Sequence, residues 1–195
     1  MGAPVYIALL HYPVYNKNME VIATSITNMD LHDIARSART YNVTRYYLIH
    51  PYEPQRRLMQ DILEYWRDGY GGEYNPDRRE AFLRVALRAS LAEVEDEIER
   101  ETGFKPLKVT TDARRYPNTV SYRRLREEIR RGEKPFLILF GTGWGIEKGV
   151  MLASHYILEP VMGGADYNHL SVRAAAAIIL DRLLGESWWE ENGER

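Results

Sequence analysis

The stretch PFLILFGTGWG, residues 135–145, decides the reading of this chain. Phe136, Leu137, Ile138, Leu139 and Phe140 form an unbroken apolar run between Pro135 and Gly141. Such a run, bounded by Pro and Gly, reads as a strand covered on both faces, and so as a central strand of a parallel sheet. Glycines then stand at alternate positions, Gly141, Gly143 and Gly145. Without Cβ atoms they let backbone amides come close to a ligand, and Trp144 can wall off the space. The same pattern also suits a plain strand-to-helix turn. It is not the dinucleotide fingerprint, because the spacing is G-x-G-x-G and it follows a late strand rather than the first.

Outward from this strand, short apolar runs alternate with helical patterns, which signals an α/β protein with a parallel sheet. About five strands are expected, over 5–10, 43–49, 107–111, 135–140 and 156–161. Helices are expected over 31–41, with Asp30 placed to cap it, and over 54–68, 75–100, 119–131, 146–153 and 168–184. The segment 54–102 interrupts the alternation and reads as a helical insertion in one domain spanning 1–195. Its acidic tail AEVEDEIERE is expected to project into solvent. In an open parallel sheet, ligands bind outside the carboxyl ends of the strands. Those ends carry His11, His50, Thr111-Asp112, the glycine turn and the loop from Pro160 to Gly164, so polar and glycine residues collect where a pocket would form.

Composition narrows the classes. The chain has 195 residues, 45% apolar and 28% charged, which describes a globular protein rather than a disordered one. The absence of cysteine excludes disulfides, thiolate metal sites and a thiol nucleophile within this sequence. No apolar run reaches the roughly 18–20 residues of a membrane span, and no signal-like start is visible, so a cytoplasmic location is expected. The net charge of −2 hides an imbalance, since 26 basic residues include only 5 Lys. The arginines often come in pairs, such as Arg114-Arg115, and suit both phosphate contacts and ordinary surface ion pairs. Of the five histidines, none stands three or four residues from another, so no metal site is expected.

The last helical stretch, NHLSVRAAAAIILDRLL, has four consecutive alanines and apolar residues nearly all round. A surface helix does not need that pattern; a helix packed closely on most sides does. Together, FGTGWGI and YILEPVMGGADYNHLSVRAAAAIILDRL resemble the carboxyl-terminal half of the SPOUT superfamily of S-adenosylmethionine-dependent RNA methyltransferases. The likeness continues into HYPV at the first strand and TNMDLHDIARSARTYNV in the first helix, and is closest to a small bacterial single-domain branch. The resemblance implies a deep carboxyl-terminal trefoil knot, a homodimer, S-adenosylmethionine as cofactor and RNA (tRNA or rRNA) as substrate.

Carried onto this chain, it implies a cofactor pocket made by Thr111, then Gly141, Thr142, Gly143, Trp144 and Gly145, then Leu158, Pro160 and Val161, and finally Asn168, His169, Leu170 and Ser171. DIARSARTY resembles the first motif of the SpoU-type branch, which puts Arg36 on that motif's arginine and Asp30 where the branch has asparagine. Arg36 is thus a candidate catalytic residue, against an ion pair with Asp33, and Asp166 is a candidate base, against a helix cap. His169 is a lesser candidate. Arg114 and Arg115 are candidate RNA contacts, and Trp188-Trp189 could stack on bases. A non-catalytic RNA-binding or cofactor-sensing protein on the same fold is the alternative reading, and an ordinary nicotinamide enzyme a third.

Overall fold

A computed structural model describes residues 2–164 and 167–186. Among them a seven-stranded parallel sheet forms the centre. In chain order the elements are β1 (Val5–Leu10), β2 (Val14–Tyr15), β3 (Val21–Ile22), α1 (Asn28–Thr40), β4 (Arg45–Ile49), α2 (Glu53–Arg67), α3 (Tyr70–Tyr74), α4 (Pro76–Phe82) and β5 (Val85–Arg88). There follow α5 (Leu91–Thr102), β6 (Leu107–Thr110), β7 (Thr119–Val120), α6 (Tyr122–Arg131), β8 (Phe136–Gly141), α7 (Lys148–Leu152), β9 (Tyr156–Leu158) and α8 (Val172–Leu184). The sheet order is β5-β4-β1-β8-β6-β9-β7, with β2 and β3 in a separate small ribbon.

Side chains alternate across the sheet, so each strand feeds two cores. Val5, Ile7 and Leu9 of β1 and Phe136, Ile138 and Phe140 of β8 join α1, α2, α4, α6 and α8 on one face. Tyr6, Ala8 and Leu10 join Leu137 and Leu139 on the other face, beneath α5 and α7. The apolar run of β8 is buried throughout because it has a neighbour on each edge and helices on both faces.

The structure corrects several expectations. The sheet has seven strands rather than five, because Val85–Arg88 and Thr119–Val120 are both paired. The segment 54–102 is therefore not wholly helical: β5 adds to the sheet edge beside β4, and what read as one helix over 75–100 is α4, β5 and α5. The acidic helix does not simply face solvent. Val94 and Ile98 are buried, and Glu97 accepts from Arg45, Arg88 and Tyr47 at 2.5, 2.5 and 3.1 Å. Burial alone would raise the Glu97 carboxyl, but those donors outweigh it and hold the group below its usual range. The helix expected over 119–131 starts at Tyr122, after Ser121 caps it. That expected over 146–153 is only Lys148–Leu152, since Ile146 pairs with Val14. Finally, α1 is capped by Thr27 rather than Asp30: the Thr27 hydroxyl accepts from the Asp30 amide at 3.1 Å and donates to its carboxylate at 2.6 Å.

The alanine-rich helix starts at Val172 with Ser171 as its cap, so residues 168–170 form the approach to it and not its first turn. Every residue of α8 is buried or half-buried. Ala176, Ile179, Leu180 and Leu183 face the core, Tyr41 donates to Asp181 at 3.1 Å, and Arg126 donates to the carbonyls of Arg182 and Gly185. Close contact of α8 with both α1 and α6 is what the small side chains permit.

Candidate cofactor site

At the carboxyl ends of β6 and β8 the chain encloses a cavity of about 770 Å³. Its walls are the glycine turn after β8, the loop after β6, the loop leading into α1, and the start of α8. Thr111, Gly141, Thr142, Gly143, Trp144, Gly145, Val161, Asn168, His169, Leu170 and Ser171 all line it, so residues far apart in sequence meet in one space. Leu158 and Pro160 do not. Leu158 is turned into the core as part of β9, between β6 and β7, and Val161 is the residue of that stretch that reaches the cavity.

The glycines serve the turn itself as well as the cavity. Gly143 has φ +59°, and a Cβ there would lie 2.7 Å from the Tyr15 carbonyl oxygen. The Trp144 amide donates to that same oxygen at 2.8 Å, and the Tyr15 amide donates to the Gly145 carbonyl at 2.9 Å. Gly145 has φ +104°, with the Arg114 guanidinium 2.9 Å from where a Cβ would sit. The turn's left-handed residues thus clasp the backbone of β2 on one side and admit Arg114 on the other. Trp144, 54% exposed, stands at the cavity's rim.

A row of hydroxyls runs along the opposite wall. Thr142 donates to the Leu10 carbonyl at 3.1 Å, Thr24 and Thr142 hydroxyls lie 2.5 Å apart, and the Thr24 hydroxyl lies 3.0 Å from His11 Nδ1. With the Thr142 proton given to Leu10, Thr24 donates to Thr142 and accepts from His11, which fixes neutral His11 with its proton on Nδ1. His11 Nε2 is buried without a hydrogen-bond partner. Burial, and then the neighbouring His50, lower the His11 pKa to about 4. His50 is lowered too, chiefly by burial, and its Nε2 donates to the Thr24 carbonyl at 3.0 Å.

The charged groups are placed as follows. Asp112 receives Arg114 through its backbone amide, Nε and Nη2 at 2.8, 3.0 and 2.7 Å, and the Tyr116 hydroxyl at 3.2 Å. Those bonds raise the Arg114 pKa above its ordinary value. Arg115 is exposed and outside the lining. Arg36 is also exposed and outside the lining; the ion pair with Asp33 does not form, because Asp33 is engaged by Arg173 at 3.3 Å. Asp166 and Trp188-Trp189 lie outside the described residues. Thr24, Ser25, Thr27, Asp30 and Asp112 line the cavity although the resemblance did not carry them there. Of these Asp112, at the end of a strand, and Asp30, at the asparagine position of the first motif, had a positional signal; Thr24, Ser25 and Thr27 depend on how the loop before α1 folds back.

The cavity suits an S-adenosylmethionine molecule in size, within the ordinary range of roughly 300–1,000 Å³ for small-ligand sites. Phe140, Val161, Leu170, Ala175 and Ile179 give it an apolar wall for a heterocycle, and Thr24, Thr142 and Ser171 give hydroxyls for a polar part. No three His, Asp or Glu side chains among the described residues are grouped so as to hold a metal ion. None of the described helices is long and apolar enough to cross a membrane.

The parallel sheet, with a glycine-lined cavity at the carboxyl ends of its strands beside the alanine-rich helix, is an α/β fold that solved SpoU methyltransferases share. A family model for SAM-dependent RNA methyltransferases matches residues 4–185, and the chain belongs to that family. It is 51% identical over 94% of its length to an uncharacterised protein of Aquifex aeolicus, covering 89% of that protein. It is 43% identical, over 95% of its length, to a tRNA (guanine-N(1)-)-methyltransferase of Oleidesulfovibrio alaskensis, but spans only 43% of that longer protein. Among solved structures, it is similar to the SpoU methyltransferase AviRb from Streptomyces viridochromogenes in complex with AdoMet, with TM-score 0.57 and 15% identity over all of this chain and 60% of AviRb. It is also similar to the TrmH/SpoU tRNA-modifying enzyme of A. aeolicus, with TM-score 0.56 and 14% identity over 98% of this chain and 77% of that one. The chain is thus an S-adenosylmethionine-dependent methyltransferase that acts on RNA.

Proposed function

We infer that the chain is a single-domain methyltransferase of tRNA or rRNA that works as a homodimer in the cytoplasm, with α8 threaded as a trefoil knot and S-adenosylmethionine held in the 770 Å³ cavity. The observation that carries this reading is the meeting of the glycine turn and the approach to α8 in one space. The guanine-N1 activity in the relative's name belongs to a protein more than twice as long, so the acceptor atom is left to measurement.

When bound, S-adenosylmethionine supplies an electrophilic methyl carbon and its own leaving group. The protein's part is alignment, exclusion of water and management of the acceptor's proton. Phe140, Val161 and Leu170 form the apolar seat, the Thr24–Thr142 hydroxyls face the polar end, and Trp144 covers the mouth. Arg36, exposed in the carboxyl half of α1, is the guanidinium offered to an RNA phosphate or to the acceptor across the dimer. Asp166 stays a candidate base in the loop before α8.

The direct test is transfer of labelled methyl groups to RNA from cells lacking the gene, with nucleoside mass spectrometry of the product. Absence of transfer across such pools, with cofactor binding intact, favours the non-catalytic alternative. Arg36→Ala is expected to keep cofactor affinity and slow transfer about tenfold, roughly 1.4 kcal/mol of transition-state stabilisation; an unchanged rate removes Arg36 from the catalytic set. For RNA binding, Arg115→Ala is expected to reduce the slope of log K against log salt by about 0.7, the value for one phosphate contact on a single strand. Arg114→Ala adds little to that slope because its charge already faces Asp112, and instead weakens the cofactor. A slope for Arg115→Ala equal to that of wild type overturns the assignment of Arg115 to RNA.

A further inference from the structure

Two carboxylates among the described residues line the cavity, Asp30 and Asp112, and they differ in what is left to accept a proton. An ionised carboxylate has about four lone-pair directions. On Asp112 all four are taken: Oδ1 by the Arg114 amide and Nε, Oδ2 by Arg114 Nη2 and the Tyr116 hydroxyl. A carboxylate so saturated is a strut. Among the described residues Asp30 accepts one hydrogen bond, from Thr27 to Oδ2 at 2.6 Å, and Oδ1 faces Arg173 at 3.5 Å, beyond a good hydrogen bond. Its side chain is only 10% exposed, and the residue lines the cavity.

Groups from three elements surround it. From α8, Arg173 sits between Asp30 and Asp33, sharing one cation over two carboxylates. From its own helix, the first turn of α1 adds the positive end of a helix dipole. From β4, the Tyr46 hydroxyl reaches only the Asp30 backbone carbonyl. The group is therefore fixed in position by Thr27 and ion-paired with Arg173, and among the described residues its Oδ1 accepts no hydrogen bond.

We propose that Asp30 is the proton acceptor of the methyl transfer, taking the hydrogen of the acceptor atom on its Oδ1. This rests on the methyltransferase reading above. In the step, the acceptor's bond to hydrogen breaks and an O–H bond forms on Asp30. The electron pair left on the acceptor forms the new bond to the methyl carbon of the sulfonium donor, and the methyl–sulfur pair stays on sulfur as a neutral thioether. Arg173 is a positioning residue that orients the Asp30 carboxylate through their ion pair.

The test begins with wild-type transfer to RNA: if the wild type transfers no methyl group, the methyltransferase reading fails before Asp30 is in question. With an active wild type, Asp30→Asn keeps the acceptor for Thr27 and is expected to bind S-adenosylmethionine by calorimetry within about twofold, melt normally, and transfer methyl groups about 10²–10⁴ times more slowly. Rates within threefold of wild type, or a loss of cofactor binding that accounts for the rate, overturn the proposal. Arg173→Gln is expected to slow transfer with cofactor affinity kept, and Arg173→Lys, which restores the cation, to recover part of the rate; an unchanged rate in Arg173→Gln, or no recovery in Arg173→Lys, overturns the positioning role.

Discussion

Gly143→Val is expected to lower the affinity for S-adenosylmethionine at least about a hundredfold while leaving a folded protein. At φ +59° a β-branched residue is strained by about 1–3 kcal/mol. Its Cβ would also lie 2.7 Å from the Tyr15 carbonyl oxygen and 3.5 Å from Thr24 Cγ2. The first neighbour is backbone and cannot swing aside, so β2 and the turn must part, and the bond from the Trp144 amide to Tyr15 goes with them. Thr24 and Trp144 both line the cavity, so the damage is delivered there more than to the core. Loss of about 3 kcal/mol of binding corresponds to about a hundredfold in Kd. Isothermal calorimetry measures it, and Gly163→Val is the control, since a Cβ at Gly163 meets nothing within 4 Å. Equal affinities for wild type and Gly143→Val exclude the turn from the cofactor site.

That prediction shows which part of the site the sequence made legible. The turn was visible because an apolar strand and its glycines are local signals, and the face of α1 that carries Leu31, Ile34, Ala35 and Ala38 was visible for the same reason. The clasp on Tyr15 was not, since nothing at residue 143 says which backbone it will meet. The strand Val85–Arg88 was hidden because Val-Ala-Leu-Arg, flanked by Phe82-Leu83 and Ser90-Leu91, fits a helical spacing equally well; pairing with β4 decides it, and that is a tertiary fact. The strand Thr119–Val120 is two residues long and has no period at all. Likewise Glu97 sits in an acidic run that reads as a wet face, and only the fold brings Arg45, Arg88 and Tyr47 to it. In the site, Thr24 comes from the loop before α1 and Asp30 from the first turn of α1, and their place depends on α1 meeting the start of α8, through Arg173. Periodicity and turn chemistry report neighbours along the chain; the walls of this cavity come mostly from neighbours across it.

Acidification is expected to cost the protein about 3 kcal/mol through one residue, His11. Its pKa is about 4 in the folded chain and ordinarily near 6.5, so between those values the unfolded chain binds more protons than the folded one. Stability therefore rises with pH across that window: the full contribution is present above about pH 6.5 and is lost as pH falls towards 4. The cause is visible in the bonds. Neutral His11 already gives its Nδ1 proton to Thr24, and a second proton would go to Nε2, which is buried with no partner and whose ring lies 5.9 Å from that of His50. His50 cannot turn to accept it, because its Nε2 donates to the Thr24 carbonyl and its Nδ1 accepts from the Tyr52 amide. The measurement is urea unfolding of wild type and His11→Asn at several pH values from 7 to 4. The asparagine amide can still donate to Thr24 but does not titrate, and the carboxylates common to both proteins cancel in the difference. The gap in stability between the two is expected to narrow by about 3 kcal/mol over that range; parallel curves dismiss His11 as the acid-sensitive group. Because the Thr24 hydroxyl that His11 supports also touches Thr142 in the cavity wall, the same protonation reaches the cofactor site: wild type is expected to lose cofactor affinity on acidification more steeply than His11→Asn.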